Sequence, residues 1–539
     1  MPDNDAAQPG LPAEETALAV VEMLRPRWGD PQHTVELPSA AASLASDSAR
    51  TAVDVDEIAL GESGVDDAAR AELVGVVGAE HVRSDHAARI RHTRGYSTTD
   101  LLRLRDGDAD GAPDLVVLPG SHDEVVAVLG ICAERRIAVV PFTGGTSVVG
   151  GLAPDRTGFT ATITIDTSRL DGSIEIDEVS RLATLPAGLR GVRAEQLLAE
   201  RGYTLGHFPQ SYEGAGIGGY AAARSAGQSS AGYGRFDDMV ERIIVATPQG
   251  TLDVGNAPKS AAGPDLRQLI LGSEGIFGVI TSVTVRVKPA PEERVFDGWQ
   301  FENFAAGSAA MRRLAQDGPL PTVLRLSDEV ETALNLADPS SLGGSAGGCL
   351  MICGFEGRAS EVGRRREAVD EVLREAGGTP LGVEPGEAWR RGRFAAPYLR
   401  DTLLDAGVLV ETLETVTFWS SIDDLKAAVT SAITTALVEQ GTPPLVMCHI
   451  SHVYASGASL YFTIVCPQTD DPIAQWAAAK HAANEAIVSA GAAITHHHGI
   501  GRDHREAYHR EIGPLALEAL RAVKHVLDPA GICNPGILI

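Results

Sequence analysis

Residues 141–152 read PFTGGTSVVGGL and directly follow an apolar, β-branched run at 137–140. The run is typical of a buried strand, and the four glycines and three hydroxyl side chains after it are typical of a tight turn. Glycine tolerates positive φ and lets the main chain approach a ligand closely, so the N–H groups of this turn can form a nest for a phosphate or pyrophosphate. An ordinary glycine-rich connection is the alternative that the turn alone leaves open.

The elements around this turn are predicted from local patterns. Residues 115–118 form a short apolar run, and Ser121 opens SHDE, a capping box that begins a helix. Apolar residues at i, i+3, i+4 and i+7 from Val125 give that helix one buried face. Further predicted elements are strands at 161–165 and 181–187 and a helix at 192–201.

Two more glycine-rich turns lie in the same region. Residues 214–219, in EGAGIGGY, satisfy GxGxxG, but the preceding HFPQSYE does not form a convincing buried strand, so a Rossmann fold is not predicted. The other turn contains Gly272, Gly275 and Gly278. It precedes a strand in which apolar and polar residues alternate and which ends at Pro289. One domain therefore has three glycine-rich turns whose backbone N–H groups can donate hydrogen bonds, which favours the binding of an extended cofactor that carries phosphate.

Length and hydropathy indicate a globular protein of several domains. A chain of 539 residues is too long for one core and should hold two or three domains. The mean hydropathy is near zero, and no apolar run reaches the ~18 residues of a membrane span. The N-terminus has neither a basic region nor an apolar stretch of a secretory signal, so a cytoplasmic location is expected.

Charge and cysteine content exclude some classes of partner. The net charge of −27, from 72 acidic and 45 basic residues, would repel a phosphate backbone and argues against nucleic acid. A few arginines can still form a local pocket for a small anion. The six cysteines form no CxxC pair and lie mostly in apolar surroundings, so they are interpreted as reduced core residues.

Four regions are predicted along the chain. Residues 1–88 form an acidic extension with helical patches at 15–24 and 66–77, and residues 89–290 form the cofactor-binding domain. Residues 291–495 form a second α+β domain with an antiparallel sheet, and residues 496–539 hold a histidine segment and a C-terminal helix at 515–527. In the second domain, strands are predicted at 322–326, 349–355, 408–416, 445–453 and 459–466, and helices at 361–376, 422–439 and 472–490.

Three adjacent histidines, His496, His497 and His498, are the strongest candidates for chemistry. A zinc site is one interpretation, but adjacent rings of an extended segment point to opposite faces and no Cys or carboxylate follows at ligand spacing, so no metal is expected. General acid/base catalysis, with one imidazole at the cofactor and a neighbour orienting it, is the favoured interpretation. A solvated histidine-rich loop is the third.

Three further polar side chains lie in apolar surroundings. Tyr461, in SLYFTIV, is by itself more typical of a core tyrosine than of a catalytic one. Arg325, in VLRL, and Arg400, in PYLRD, each need a partner, which is either Asp328 or Asp401 or a bound anion. Neither a GxSxG nucleophile elbow nor a GxxxxGK[ST] phosphate loop is present, so nothing suggests Ser–His–Asp hydrolysis or nucleotide hydrolysis.

Six segments, taken in order, resemble the alkylglycerone-phosphate (alkyl-dihydroxyacetone-phosphate) synthases, within the vanillyl-alcohol oxidase type of FAD flavoproteins. They are PDLVVLPGSHDEV, PFTGGTSVVGGL, GHFPQSYEGAGIGGYAAARSAG, GSEGIFGVITSVTVRVKP, SLYFTIV and THHHGIGRDHR, and the resemblance covers about residue 89 to the C-terminus. It implies an α+β fold, with a PCMH-type two-part FAD-binding domain and an α+β cap domain built on an antiparallel sheet.

The resemblance also implies FAD as the cofactor. Because no His or Cys lies in the glycine turn, where relatives with covalent flavin often carry one, the FAD is expected to be noncovalent. Gln210 replaces the family's acidic residue, which leaves the substrate open. The implied FAD contacts are Pro141, Thr143, Gly144, Gly145, Thr146, Ser147, His207, Gln210, Ser211, Gly216, Gly218, Ala223, Arg224, Ser225, Glu274, Gly275, Gly278, Val279 and Ile280.

The implied chemistry is flavin N5 chemistry that exchanges an acyl for an alkyl group on a phosphorylated, lipid-type substrate. Tyr461, His497 and His498 match the family's active-site residues, with His496 beside them, and Arg325 and Arg400 match its functional arginines. A place in lipid metabolism and a homodimer are expected. The alternative on the same fold is an FAD-linked oxidase or dehydrogenase of a hydroxy acid or alcohol, and a flavin-free binding protein is a third hypothesis.

Overall fold

The computed structural model describes residues 19–24, 29, 35–37, 44–45, 53–335 and 347–539. Of the first predicted helix, residues 15–18 lie outside the described residues, and the described part is the helix Val20–Leu24. The second is the helix Asp67–Val77, which begins where the carboxylate of Asp66 accepts a hydrogen bond from the Ala69 N–H at 2.7 Å. Two more helices precede the first long strands, His86–Arg91 and Thr98–Arg105.

The first sheet ends at the glycine turn. Its strands are β1 (Val82–Arg83), β2 (Leu115–Val117), β3 (Ile137–Phe142) and β4 (Ala161–Asp166), in the order β1-β2-β4-β3. β2, β4 and β3 run parallel and are buried along almost their whole length, as is usual for parallel strands that are covered on both faces. The helix His122–Arg135 connects β2 to β3, and the Ser121 hydroxyl accepts a hydrogen bond from the Glu124 N–H, as predicted.

The second sheet is antiparallel. It contains β5 (Glu175–Asp177), β6 (Leu182–Pro186), β8 (Val240–Thr247), β9 (Gly250–Val254) and β10 (Val279–Arg286), in the order β5-β6-β10-β8-β9. The strand before the GxGxxG segment is only β7 (Tyr203–Thr204), which pairs with β11 (Lys288–Pro289), so this segment is not a Rossmann turn. The helices of this part are Gly191–Ala199, Ile217–Ala223, Ser230–Tyr233, Phe236–Met239 and Arg267–Ile270.

The third sheet has seven antiparallel strands and forms the cap. They are β12 (Glu293–Phe301), β13 (Val323–Ser327), β14 (Cys349–Gly357), β15 (Thr379–Gly382), β16 (Val408–Phe418), β17 (Leu445–Ile450) and β18 (Gly457–Pro467), in the order β15-β12-β14-β13-β17-β18-β16. Its helices are Phe304–Asp317, Glu329–Asn335, Ala359–Glu375, Glu384–Gly392, Ala396–Asp405, Ile422–Val438 and Pro472–Ser489. The predicted α+β fold with an antiparallel cap sheet is confirmed.

Several observed elements were not predicted, among them the helices Phe304–Asp317 and Ala396–Asp405 and the strand β12. β12 was not predicted, because Asp297 and Gly298 interrupt its apolar pattern, but Asp297 is paired with Arg366 at 2.6 Å and can therefore be buried. The predicted helix at 515–527 is the second part of Arg505–Leu527, in which the non-helical φ and ψ of Gly513 separate two helical segments.

The C-terminal segment returns to the glycine turn. The N–H of Val139, in β3, donates to the carbonyl of Ile532, and the N–H of Asn534 donates back to Val139. The Asn534 side-chain amide then donates to the carbonyls of Gly151 and Glu274 at 3.0 and 2.7 Å. Two of the glycine turns are therefore fixed by one buried amide. Within the described ranges, no helix is long and apolar enough to cross a membrane.

Candidate active site

The three glycine-rich turns pack directly on one another. A Cβ atom added at Gly144 would lie 2.2 Å from the carbonyl oxygen of Gly214, and one added at Gly216 would lie 2.3 Å from the Thr143 methyl group. One added at Gly275 would lie 2.8 Å from the ring of Pro141. These approaches are shorter than any side chain allows, so the sequence needs glycine where the turns meet.

These turns form one wall of a cavity of about 460 Å³. In the described part of the chain, the N–H groups of residues 144–147 donate to no protein acceptor, as expected of a nest that receives a phosphate oxygen. The wall therefore fits the pyrophosphate of an extended cofactor. Of the predicted contacts, the structure places on this wall Pro141, Thr143, Gly144, Gly145, Thr146, Ser147, Gln210, Ser211, Gly216, Gly218, Ala223, Ser225, Glu274, Gly275, Gly278, Val279 and Ile280.

Two predicted cofactor contacts lie behind the wall. The Arg224 guanidinium donates to the carbonyls of Leu271 and Gln268, away from the cavity. The His207 ring is buried against Tyr220, and its Nε2 hydrogen-bonds the Ser225 hydroxyl at 3.0 Å. Burial lowers the pKa of His207 to about 3, so it is neutral and supports Ser225, which does line the cavity.

The opposite wall comes from one face of the cap sheet. Side chains alternate across a sheet, so residues two apart on a strand share a face. Accordingly Val410 and Thr412 of β16, Met447 and His449 of β17, and Tyr461, Thr463 and Val465 of β18 all line the cavity, together with Arg325 of β13. This regularity places Tyr461 and Arg325 at the same cavity as the glycine turns.

The three-histidine loop, residues 495–498, is organised by a buried carboxylate on β16. The Glu414 side chain is 0% exposed and accepts hydrogen bonds from the Thr495 hydroxyl at 2.6 Å and from the N–H groups of His496, His497 and His498. Burial acts to raise the pKa of Glu414, but the surrounding histidines and Thr495 hold it well below its usual range. The loop is therefore shaped around an ionised carboxylate.

A second buried carboxylate, on the side of the glycine turns, binds the residues that directly follow this loop. Glu274 accepts hydrogen bonds from the N–H groups of Ile500 and Gly501, each at 3.0 Å. Burial raises the pKa of Glu274 to about 7, although these two hydrogen bonds oppose the shift. The third glycine turn and the three-histidine loop are thus fastened to each other.

The histidine rings form a close cluster. The Nδ1 atoms of His496 and His497 are 2.9 Å apart, and the ring of His452 stacks on His496 at 4.8 Å. The prediction that adjacent rings point to opposite faces is therefore wrong, because the backbone curls around Glu414 and is not extended. Burial lowers the pKa of His452, His496, His497 and His498, to about 3 for His498, so the rings are neutral at neutral pH.

The nitrogens of His452, His496 and His497 lie within 4.8 Å of one another, which is close enough for one metal ion. However, the 2.9 Å between two of them is a hydrogen-bond distance. Two nitrogen ligands of a tetrahedral zinc ion are about 3.3 Å apart, given Zn–N bonds near 2.0 Å. The cluster fits a hydrogen-bonded network better than a metal centre.

Of the predicted catalytic residues, His497, His498 and Tyr461 line the cavity, and His496 lies behind His497.

Tyr461 lies between the histidines and β17. Its ring stacks on His449 at 4.7 Å and meets His498 edge-on at 5.5 Å. Burial raises the pKa of Tyr461 to about 12, so its hydroxyl stays protonated and can donate a hydrogen bond into the cavity.

The two predicted arginines both line the cavity. Arg325 pairs with Glu331 at 2.8 Å and contacts the Nδ1 of His449 at 2.9 Å, while Asp328 pairs with Lys426 at 3.3 Å. Asp401 pairs with Arg105 at 3.4 Å, and burial raises the pKa of Asp401 although the charges of Arg105 and Arg400 oppose the shift. Arg400 is buried and lines the cavity.

One part of the cavity is apolar. We call Leu399, Leu403, Val410, Met447 and Val465 the apolar wall. Several cavity residues were not predicted, because their role depends on how distant strands pair. The two histidines of MCHISHV were a signal that could have found His449 and His452.

Comparisons with known proteins agree with this geometry. A family model described as FAD binding domain matches residues 113–254, and one described as FAD linked oxidases, C-terminal domain, matches residues 290–538. An alkyldihydroxyacetonephosphate synthase of Dictyostelium discoideum is 32% identical over 85% of this chain and 79% of that protein. One of Trypanosoma brucei brucei is 32% identical over 87% and 80%. A solved structure of an alkyldihydroxyacetonephosphate synthase superposes with a TM-score of 0.78 at 30% identity, covering 90% of this chain and 88% of that chain.

Gly144→Ala should reduce flavin retention, because the new Cβ would collide with the backbone of Gly214 and separate two glycine turns. We expect less flavin absorbance per protein and a destabilisation of about 1–3 kcal/mol, typical of overpacking. Gly130→Ala is the control, since its Cβ meets open space within the described structure. Full flavin content in Gly144→Ala would contradict the packing.

Glu414→Gln should disorder the three-histidine loop, because an amide nitrogen would face N–H donors that now bind a carboxylate. We expect a lower melting temperature, equivalent to about 1–3 kcal/mol for the unpaired groups, and reduced turnover. Exposed Glu518→Gln is the matched control. Wild-type stability and turnover in Glu414→Gln would show that the carboxylate does not hold the loop.

Proposed function

Because this chain belongs to the alkyldihydroxyacetonephosphate synthase family of FAD-dependent enzymes, we propose that it exchanges the acyl group of an acyl-dihydroxyacetone phosphate for the alkyl group of a fatty alcohol. One observation carries the proposal. A single cavity has a phosphate nest on one wall and neutral histidines, a protonated tyrosine, two arginines and the apolar wall on the other.

The two arginines support a phosphorylated substrate. Arg325 pairs with Glu331 at the cavity, and the buried Arg400 also lines it. A guanidinium matches the geometry of a phosphate group and forms charge-assisted hydrogen bonds with its oxygens. We therefore assign the contact with the substrate phosphate to Arg400 and Arg325.

The apolar wall supports a substrate with a long hydrocarbon chain. Leu403, Val410 and Val465 belong to one small buried cluster, and Met447 packs against it. Burial of alkyl surface contributes roughly 0.8 kcal/mol per CH₂ group, so such a wall favours a fatty chain over a short hydroxy acid.

The chain's own residues would handle protons during the exchange. Bound FAD supplies the N5 reactivity that the family uses. Neutral His497 can take the hydroxyl proton of the incoming alcohol, since burial keeps its pKa below the ordinary value. Tyr461 and His498 lie beside it and would orient the substrate oxygens by hydrogen bonds.

A second candidate function is an FAD-linked oxidase or dehydrogenase. The family model that matches residues 290–538 is described by FAD-linked oxidases, which favours this alternative. The apolar wall favours the exchange reaction over the oxidation of a small hydroxy acid. A noncovalent FAD, a homodimer, a role in lipid metabolism and a cytoplasmic location remain predictions.

The proposed exchange predicts incorporation of a labelled fatty alcohol into acyl-dihydroxyacetone phosphate, with release of fatty acid and no requirement for an electron acceptor. Product analysis by thin-layer chromatography or mass spectrometry measures it directly. Turnover of an alcohol or hydroxy acid that requires an electron acceptor would contradict the proposal and support the oxidoreductase.

Variants in the same assay test the site. His498→Ala and Tyr461→Phe should lower turnover at least about 100-fold, the usual scale of acid/base and orienting groups, while the bound flavin is retained. His481→Ala is the matched control, because that side chain is 78% exposed. Full activity in both site variants would remove these residues from the mechanism.

A further inference from the structure

A chain of hydrogen bonds leads away from the cavity through the histidine cluster. His497 lines the cavity, and its Nδ1 lies 2.9 Å from the Nδ1 of His496. The other nitrogen of His496, Nε2, lies 2.5 Å from the hydroxyl of Tyr454. His496 itself is buried, and the cavity residues His497 and His452 both lie against it.

The far end of this chain is Tyr454, a partly exposed residue that is followed by the exposed Ala455 and Ser456. Burial raises the pKa of Tyr454 to about 12, although the charge of Arg235 and its hydrogen bond to the Tyr454 hydroxyl oppose the shift, so the hydroxyl keeps its proton at neutral pH. A phenol oxygen has two lone pairs, so it can accept hydrogen bonds from Arg235 and His496 while its O–H donates to water.

The structure also fixes the ring in the middle of the chain. His452 stacks on His496 at 4.8 Å, and its own Nδ1 is held by the Ser230 hydroxyl at 2.7 Å. The N–H of His496 donates to Glu414, which fixes the backbone beneath the ring. The His496 imidazole therefore has both nitrogens in hydrogen bonds and little freedom to turn away from either partner.

We propose that His497, His496 and Tyr454 form a proton relay between the cavity and solvent. The proposal rests on the proposed function, in which a substrate hydroxyl loses a proton in the cavity. Nothing else in that mechanism explains why a histidine behind the cavity wall joins a cavity histidine to a partly exposed tyrosine.

Each proton that enters the relay is matched by a proton that leaves it. The substrate O–H bond breaks and its proton binds Nε2 of His497, while the Nδ1 proton of His497 moves to Nδ1 of His496. The Nε2 proton of His496 moves to the Tyr454 oxygen, and the Tyr454 O–H proton leaves to water. One proton enters and one leaves, each ring keeps its charge, and the reverse sequence returns a proton to the cavity. A neutral imidazole with one N–H and one lone pair is suited to each step.

Tyr454→Phe tests the relay in the holoenzyme, because it removes only the hydroxyl. We expect kcat for alkyl incorporation to fall at least about tenfold, within the range for proton transfer groups, with KM and flavin content unchanged. The solvent deuterium isotope effect on kcat should rise, since proton transfer becomes limiting. Tyr203→Phe, on β7 and in a partly exposed position, is the matched control.

A second measurement does not depend on the reaction. In holoenzyme with ¹⁵N-labelled histidine, exchange of the His496 and His497 ring N–H protons with solvent should slow at least about tenfold in Tyr454→Phe and stay unchanged in Tyr203→Phe. Wild-type exchange in Tyr454→Phe would overturn the relay, whatever reaction the enzyme catalyses. Absence of alkyl incorporation in the wild type, with slowed exchange in the variant, would overturn only the proposed function.

Discussion

The geometry of the active site depends on the burial of one carboxylate, Glu414. An ionised carboxylate without exposure is stable only when several donors surround it. Here those donors are the Thr495 hydroxyl and three consecutive backbone N–H groups. The need to satisfy Glu414 curls the chain and brings three imidazoles together, which an extended segment could not do. The histidine cluster is thus a consequence of where a strand of the cap sheet places one charge.

The same hydrogen bonds connect the wall of glycine turns to the histidine cluster. Glu274 belongs to the third glycine turn, lines the cavity and accepts hydrogen bonds from the residues that directly follow the three-histidine loop. Asn534 fixes the backbone of the same turn and of the first one. A shift of the glycine turns would therefore also move the histidines. This arrangement holds the histidines at a set distance from the glycine turns.

Local patterns predicted the fold and the cofactor wall, because buried strands and glycine turns are visible in short stretches of sequence. The parallel strand β3 and its turn are one example. The histidine cluster was located but its geometry was not, since Glu414 reaches it only through the pairing of β16 with β18, where Glu414 lies opposite Tyr461. The partner of Arg325 was missed for a related reason, because the acidic residues nearby are alike until the fold brings Glu331 to it. Arg224 matched a motif, yet its side chain turns away from the cavity.

The visible spectrum of the bound flavin, recorded without oxygen, distinguishes group exchange from net oxidation. We expect acyl-dihydroxyacetone phosphate alone to perturb the oxidised spectrum and a fatty alcohol then to restore it, with no electron acceptor present. Lasting reduction of the flavin by an alcohol or a hydroxy acid, reversed only by an electron acceptor, would contradict group exchange.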